Sequence, residues 1–173
     1  MPVSLKDLPK QPTLPNPFAW ANGKGEVRKF KDWEARRNEI LAMIQHYEVG
    51  TKPTVSRDQM SANMSGDTLI VVFSNAGESL TLKATITYPD QTQFPAPSQG
   101  YPAVIGLGMP SGSLPRDIFA TRGIAMIRYD FMQVTSHTQK RGNEPYNKIY
   151  PELQYVGSYS AWPWGVSRII DGL

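Results

Sequence analysis

At 173 residues, with 40% hydrophobic and 10% aromatic side chains, the chain is long and apolar enough to bury a core, which excludes a disordered tail. Eighteen basic against fifteen acidic residues leave a net charge of +3, and the cations are scattered apart from Arg28 to Lys31 and Arg36-Arg37, so nothing supports a nucleic-acid partner. The absence of cysteine excludes disulfides, thiol catalysis and cysteine metal sites, and weighs slightly against a heavily cross-linked eukaryotic secreted protein and towards a bacterial source.

No stretch approaches membrane-spanning length, and no charged start followed by an apolar run opens the chain, so the expectation is no membrane partner and an export signal removed or never present. Residues 1–22 carry Pro2, Pro9, Pro12, Pro15 and Pro17, which block regular structure and predict an extended arm ahead of one domain over 23–173. Asp32 is placed to cap a helix over about 33–48, with Trp33, Ile40, Ile44 and Tyr47 near one face and Gly50 and Pro53 as its stop. Thr68 to Phe73 is an apolar, β-branched run, Asn75-Ala76-Gly77 is turn chemistry, and Leu80 to Tyr88 alternates apolar with Thr and Lys; together they predict an antiparallel hairpin with one wet face.

Pro89 to Gly100, rich in Pro and Gln, reads as a surface loop before the unbroken apolar strand Ala103 to Leu107, which two-sided burial in a parallel sheet explains. Ser113 is placed to cap a short helix with Pro115 in its first turn, Gly123 ends it, and Ile124 to Tyr129 is a second buried strand. Residues 130–158 show no clear period, and so long a loop reads as functional or as a lid. Val166, Ile169, Ile170 and Leu173 then recur at three- and four-residue spacing, with Ser167, Arg168 and Asp171 opposite, which predicts a final amphipathic helix over the last twelve residues. Such a helix should pack on a parallel sheet, and its following strand is not in the chain. The fold class expected is α/β, a three-layer αβα sandwich.

Tyr101-Pro102-Ala103-Val104-Ile105-Gly106-Leu107-Gly108, then Gly123-Ile124-Ala125-Met126-Ile127, then Trp164-Gly165-Val166-Ser167-Arg168-Ile169-Ile170-Asp171 resemble glucuronoyl esterases, a carbohydrate esterase family. The leading Asn16-Pro17-Phe18 and the helix ending in Tyr47-Glu48-Val49-Gly50 resemble that family's opening too. The resemblance implies the N-terminal part of an α/β-hydrolase fold, with the helix and hairpin leading in. It also implies serine esterase activity on the ester between 4-O-methyl-glucuronic acid of xylan and lignin alcohols, without metal or cofactor, in a secreted or periplasmic protein. That family's nucleophile sits in a Gly-Cys-Ser-Arg-x-Gly-Lys elbow after the matching helix, with acid and histidine later still. All three catalytic groups are therefore expected beyond Leu173, and the chain alone is expected to be inactive. Met109-Pro110 and Pro163 depart from the small residues the family places there.

Gly106 and Gly108 follow a buried strand where α/β hydrolases place an oxyanion-side loop, since glycine lets backbone N–H groups approach a substrate oxygen; a tight turn is the blander reading and the favoured one. Ser167 sits in Gly165-Val166-Ser167-Arg168, which imitates a nucleophile elbow in letters but lies in a helical pattern and lacks the second glycine, so helix surface is the better reading. Ser113, Asp130 and His137 run in hydrolase order after strand ends, although Ser113 has no elbow sequence. His46 reads as a packing or solvated residue of the first helix. Tyr129, Phe131, Tyr146, Tyr150, Tyr155, Tyr159, Trp162 and Trp164 make the second half aromatic, for core or for stacking on sugars, and Lys140-Arg141 and Lys148 are solvated loop charges or contacts to an acidic polysaccharide. Asn63-Met64-Ser65 is a glycosylation sequon.

Two alternatives stay beside the esterase reading: a noncatalytic carbohydrate-binding or scaffold remnant of the fold, and a related esterase acting on another acyl group such as acetyl xylan. An incomplete sheet is expected to expose an apolar edge at Ala103 to Leu107 or at Ile124 to Ile127, and so to self-associate.

Overall fold

The computed structural model describes residues 5–7, 10, 12–137 and 142–173; Pro2, Pro9, Lys140 and Arg141 lie outside them. The chain forms two compact units, Met1–Thr51 and Lys52–Leu173.

In the first unit, Ala19 and Glu26 form an antiparallel bridge, closed by Trp20 N–H donating to Gly25 O at 3.0 Å and Val27 N–H to Phe18 O at 2.8 Å. Helix α1 (Trp33–Ile44) follows a 3-10 turn (Phe30–Asp32) and runs on into a wider π turn (Gln45–Val49) that stops at Gly50, φ 82°. The expected Asp32 cap is not made, because Asp32 already has helical dihedrals as the last residue of the 3-10 turn. Nor does the helix bury the expected apolar face: its one buried residue is Arg36, whose Nε donates to Pro17 O at 2.9 Å and whose Nη1 pairs with Glu39 at 2.9 Å, whereas Ile44 is exposed.

The second unit is built on a five-stranded mixed sheet of β1 (Met60–Ser65), β2 (Thr68–Asn75), β3 (Glu78–Thr87), β4 (Ala103–Leu107) and β5 (Ala125–Tyr129) in the order β1-β2-β3-β5-β4. All neighbours are antiparallel except β4 and β5. The hairpin β2–β3 forms as its alternation requires: Leu69, Val71, Phe73, Leu80, Leu82, Ala84 and Ile86 face the core while Ser79, Thr81, Lys83 and Thr85 face water. Ala76 and Gly77 both take positive φ, the geometry whose twist suits a two-residue hairpin loop. Strand β1 escapes a sequence reading because it is a polar edge strand with only Met60 half-buried; Asn63 of the sequon lies in it, exposed.

Burial on both faces belongs to β5, not to β4. Ala125, Ile127 and Tyr129 enter the core, and Met126, which alternation puts on the other face, is buried as well. Strand β4 has β5 as its single neighbour and leaves Ala103 and Leu107 exposed, so its apolar run reflects an open edge; β5 lies between β3 and β4 and offers no edge.

The connection from β4 to β5 carries α2 (Asp117–Ala120), which packs on β5; it ends at the Thr121 cap, ahead of the expected Gly123, which takes φ 64° in the turn that follows. Ser113 does not cap it. Arg116 holds the cap position without a side-chain bond, because the chain makes turns at 109–112 and 111–114 before the helix starts.

The described part of the segment expected as a functional loop or lid, residues 130–137 and 142–158, is built of short elements. It holds a 3-10 turn (Phe131–Gln133), helix α3 (Pro145–Ile149) and a second 3-10 turn (Pro151–Leu153), pieces too short to show a period, and it sends Val134, Tyr146, Ile149, Tyr150 and Val156 into the core.

Helix α4 (Ser158–Gly172) starts earlier than expected, contains Pro163, and is rotated from the predicted face: Ala161, Trp164, Gly165, Arg168 and Ile169 are buried while Ile170 and Leu173 are exposed. Close approach to the sheet selects this face. A Cβ at Gly165 would stand 2.0 Å from the Tyr129 hydroxyl, and one at Gly172 would stand 2.6 Å from Val71 Cγ2. Two glycines two turns apart thus seat the helix on the sheet. Trp164 fills the space beside them, edge-on to Phe73 at 5.1 Å and to Tyr150 at 5.8 Å, with the Arg168 guanidinium 5.3 Å over its ring. Arg168 is tolerated inside because its Nε donates to Asp171 at 2.9 Å. In the same layer the Tyr129 and Tyr146 hydroxyls and Arg168 Nη1 are buried without a hydrogen-bond partner among the described residues.

Candidate functional site

Ligands of open α/β sheets gather where parallel strands end, and here that is the C-terminal end of β4 and β5. The loop leaving β4 folds sharply back over its own strand. A Cβ at Gly106 would stand 1.9 Å from Met109 O and 2.4 Å from Gly112 N, so the backbone of 109–112 occupies the space a side chain would take. Gly108 adopts φ 74°, its N–H donates to Tyr129 O at 2.7 Å, and its carbonyl accepts from Arg128 Nε at 2.8 Å. The loop continues with Gly112 N–H on Met109 O at 3.2 Å and the buried Ser111 hydroxyl on Leu114 O at 2.8 Å. Two glycines and one arginine therefore fix its path. Arg128 is a residue the sequence reading passed over; its signal is a lone cation inside the apolar run Ile124 to Tyr129.

Past β5, Asp130 accepts from Met132 N–H at 3.0 Å and so starts the 3-10 turn, while Gln133 extends the sheet by bonding both the N–H (2.8 Å) and the carbonyl (2.9 Å) of Lys83. Ser136 gives its N–H (3.0 Å) and hydroxyl (2.6 Å) to the Glu144 carboxylate, and Trp162 Nε1 donates to Thr135 O at 2.9 Å. This brings His137 onto Trp162, 5.6 Å between ring centroids. Phe131 lies 4.6 Å and Tyr159 5.3 Å from the same indole. Of the aromatic half of the chain, Tyr129, Tyr146, Tyr150 and Trp164 are core, Phe131, Tyr159 and Trp162 form with His137 a cluster that reaches the surface, and Tyr155 is exposed.

Ser113, Asp130 and His137 are not assembled into a relay: among the described residues no hydrogen bond joins any two of them, and Asp130 is occupied as a turn cap. Ser167 lies on α4, donating to Pro163 O at 3.1 Å and accepting from Lys52 at 2.9 Å, as a helix-surface serine does. His46 stands edge-on to Tyr47 at 4.6 Å in the first unit. Among the described residues no group of three His, Asp or Glu side chains can hold a metal ion, and no helix is long and apolar enough to cross a membrane.

Residues 71–173, from the hairpin through the β4 loop to the end of α4, match the family model described as glucuronyl esterase, fungi. The chain belongs to the glucuronoyl esterase family.

A 4-O-methyl-glucuronoyl methylesterase of Schizophyllum commune is 36% identical over 162 residues, and one of Hypocrea jecorina is 37% identical over 158. The alignments take in 92% and 90% of this chain but 38% and 32% of those relatives, so the chain spans about a third of their length. The crystal structure of the glucuronoyl esterase of Sporotrichum thermophile superposes with a TM-score of 0.75 at 31% identity, over 92% of this chain and 40% of that one. A mutant of that esterase has been solved in complex with methyl 4-O-methyl-β-D-glucopyranuronate. The likeness extends to the mixed α/β architecture described above.

Proposed function

We propose that this chain is the N-terminal portion of a glucuronoyl esterase that hydrolyses the ester between 4-O-methyl-glucuronic acid of xylan and lignin alcohols, and that it acts outside the cell or in the periplasm. The observation that carries this reading is the family match over residues 71–173, which takes in the sheet from within β2 through β5 and the built loop after β4. Its role in the reaction follows from the position of that loop. When a nucleophile attacks the ester carbonyl, charge develops on the carbonyl oxygen, and backbone N–H groups held in place beforehand stabilise it without reorganising. In this proposal Gly106 and Gly108 shape the oxyanion-side loop rather than donate from their own amides, since the Gly108 N–H is already committed to Tyr129 O. Arg128, bound to the Gly108 carbonyl, keeps the turn from relaxing.

In this proposal nucleophile, acid and base come from residues that follow the matching helix, as the family resemblance implies; within the chain Asp130 caps a turn, Ser167 bonds along its own helix and His137 lies on Trp162. The test compares the purified chain with a version extended through the next strand, turn and the remainder of the domain, on methyl 4-O-methyl-glucuronate. Hydrolysis by the extended protein alone is the result expected; serine-dependent turnover by the 173-residue chain refutes the assignment of the triad to missing residues. An extended protein active on acetyl esters and inert on glucuronate esters refutes the substrate.

A further inference from the structure

Resting on the esterase reading above, we infer that Arg128 is a positioning residue for ester cleavage: by holding the Gly108 carbonyl it aims and polarises the Met109 N–H, the donor that the loop after β4 offers to the developing oxyanion. This chain carries Met109-Pro110 where small residues are expected, so the donor is assigned from the bonds of its own loop. Of the N–H groups along the turn, that of Gly108 is on Tyr129 O at 2.7 Å and that of Gly112 on Met109 O at 3.2 Å, Pro110 has none, and Ser111 is buried. The Met109 N–H makes no hydrogen bond among the described residues.

Peptide geometry sets its direction. A trans peptide is planar, with its C=O and N–H pointing opposite ways, and the carbonyl of the Gly108–Met109 peptide is turned to Arg128 Nε at 2.8 Å. The Met109 N–H therefore points away from Arg128. Gly108 is tied to β5 at both ends, its N–H on the Tyr129 carbonyl and its carbonyl on the Arg128 side chain, so the plane cannot turn without breaking a bond. Arg128 stands in register opposite Gly106, where no side chain competes for the face onto which the loop folds. The bond also acts through the peptide. A guanidinium donating to a carbonyl draws electron density from the amide, and the N–H across the same peptide becomes the stronger donor. As the ester carbonyl is attacked, its oxygen gains charge and accepts from that N–H; no proton moves, and Arg128 touches neither substrate nor nucleophile.

Three side chains that reach equally far separate charge, donor and bulk. Arg128→Gln places a neutral amide N–H where Nε stands, and Arg128→Met places a methyl group there. In the extended esterase on methyl 4-O-methyl-glucuronate, kcat is expected to fall about threefold in Arg128→Gln and about tenfold in Arg128→Met, with KM unchanged. In the 173-residue chain the Met109 amide nitrogen resonance is expected to move upfield in the same order, wild type to Gln to Met, which a loss of bulk alone does not produce. Equal kcat in the two variants, a change confined to KM, or a Met109 resonance indifferent to the series each overturns the inference. An extended wild-type protein that cleaves no glucuronate ester overturns the esterase reading before any substitution is made, whereas an active wild type with kcat unchanged in Arg128→Met overturns this inference alone.

Discussion

Gly106 is where one missing side chain matters most. Alanine there would drive Cβ into Met109 O and Gly112 N, main-chain atoms that cannot swing aside, so the loop must open while the sheet below it survives. In the extended esterase, Gly106→Ala is expected to lower kcat about a hundredfold, the scale of losing an oxyanion donor, with KM little changed and circular dichroism unaltered. An unimpaired kcat removes the loop from catalysis. The buried tyrosines make a second residue-level case. Burial raises the pKa values of Tyr129, Tyr146 and Tyr150 above their ordinary range, with Asp130 adding to the effect at Tyr129. Each is neutral in the folded chain where its unfolded counterpart ionises, so their contribution is complete below about pH 10 and is lost as pH rises through the folded values. Tyr146→Phe is expected to make the fall in Tm between about pH 9 and pH 11 shallower. At neutral pH it also removes a buried hydroxyl without a partner, a gain of about 1 kcal/mol.

At the scale of elements, the seat of α4 on the sheet is sharply defined. Gly165→Ala places a methyl group 2.0 Å from the Tyr129 hydroxyl and is expected to cost about 1–3 kcal/mol in chemical denaturation, reversed in part by Tyr129→Phe, which vacates that position. The elements also show what was legible beforehand. The hairpin, β4, β5 and the last helix were readable, because strict alternation and unbroken apolar runs carry their own geometry. The face of α4 was not: Ile170 and Leu173 look like core letters, yet glycine spacing and a guanidinium neutralised by Asp171 turn the helix the other way. The segment 130–158 stayed opaque because its order comes from tertiary bonds such as Glu144 to Ser136, which no local period announces. Of the site, Gly106 and Gly108 stood out by following a strand, while Arg128 and the Phe131–Trp162 contact needed the fold to bring them together.

For the whole molecule, the edge position of β4 leads to an expectation about behaviour in solution. An edge strand with Ala103 and Leu107 exposed and no charged residue of its own is a template for another strand. Sedimentation equilibrium of the 173-residue chain is expected to show association that rises with concentration and weakens in Leu107→Lys. A monomer at every concentration tested defeats the prediction.

The glycine seat of α4 has a kinetic counterpart. A helix carrying Pro163, Gly165 and Gly172 has poor intrinsic propensity, so it has little reason to form before there is a surface to receive it. The β2–β3 hairpin, closed by its own turn, is local and self-supporting. Folding is therefore expected to nucleate in the hairpin and finish with the docking of α4, so that Val71→Ala chiefly slows refolding whereas Ala161→Gly chiefly speeds unfolding in a stopped-flow chevron. The residues that let the helix come so close to the sheet also make it the last part of the molecule to arrive and the first to leave.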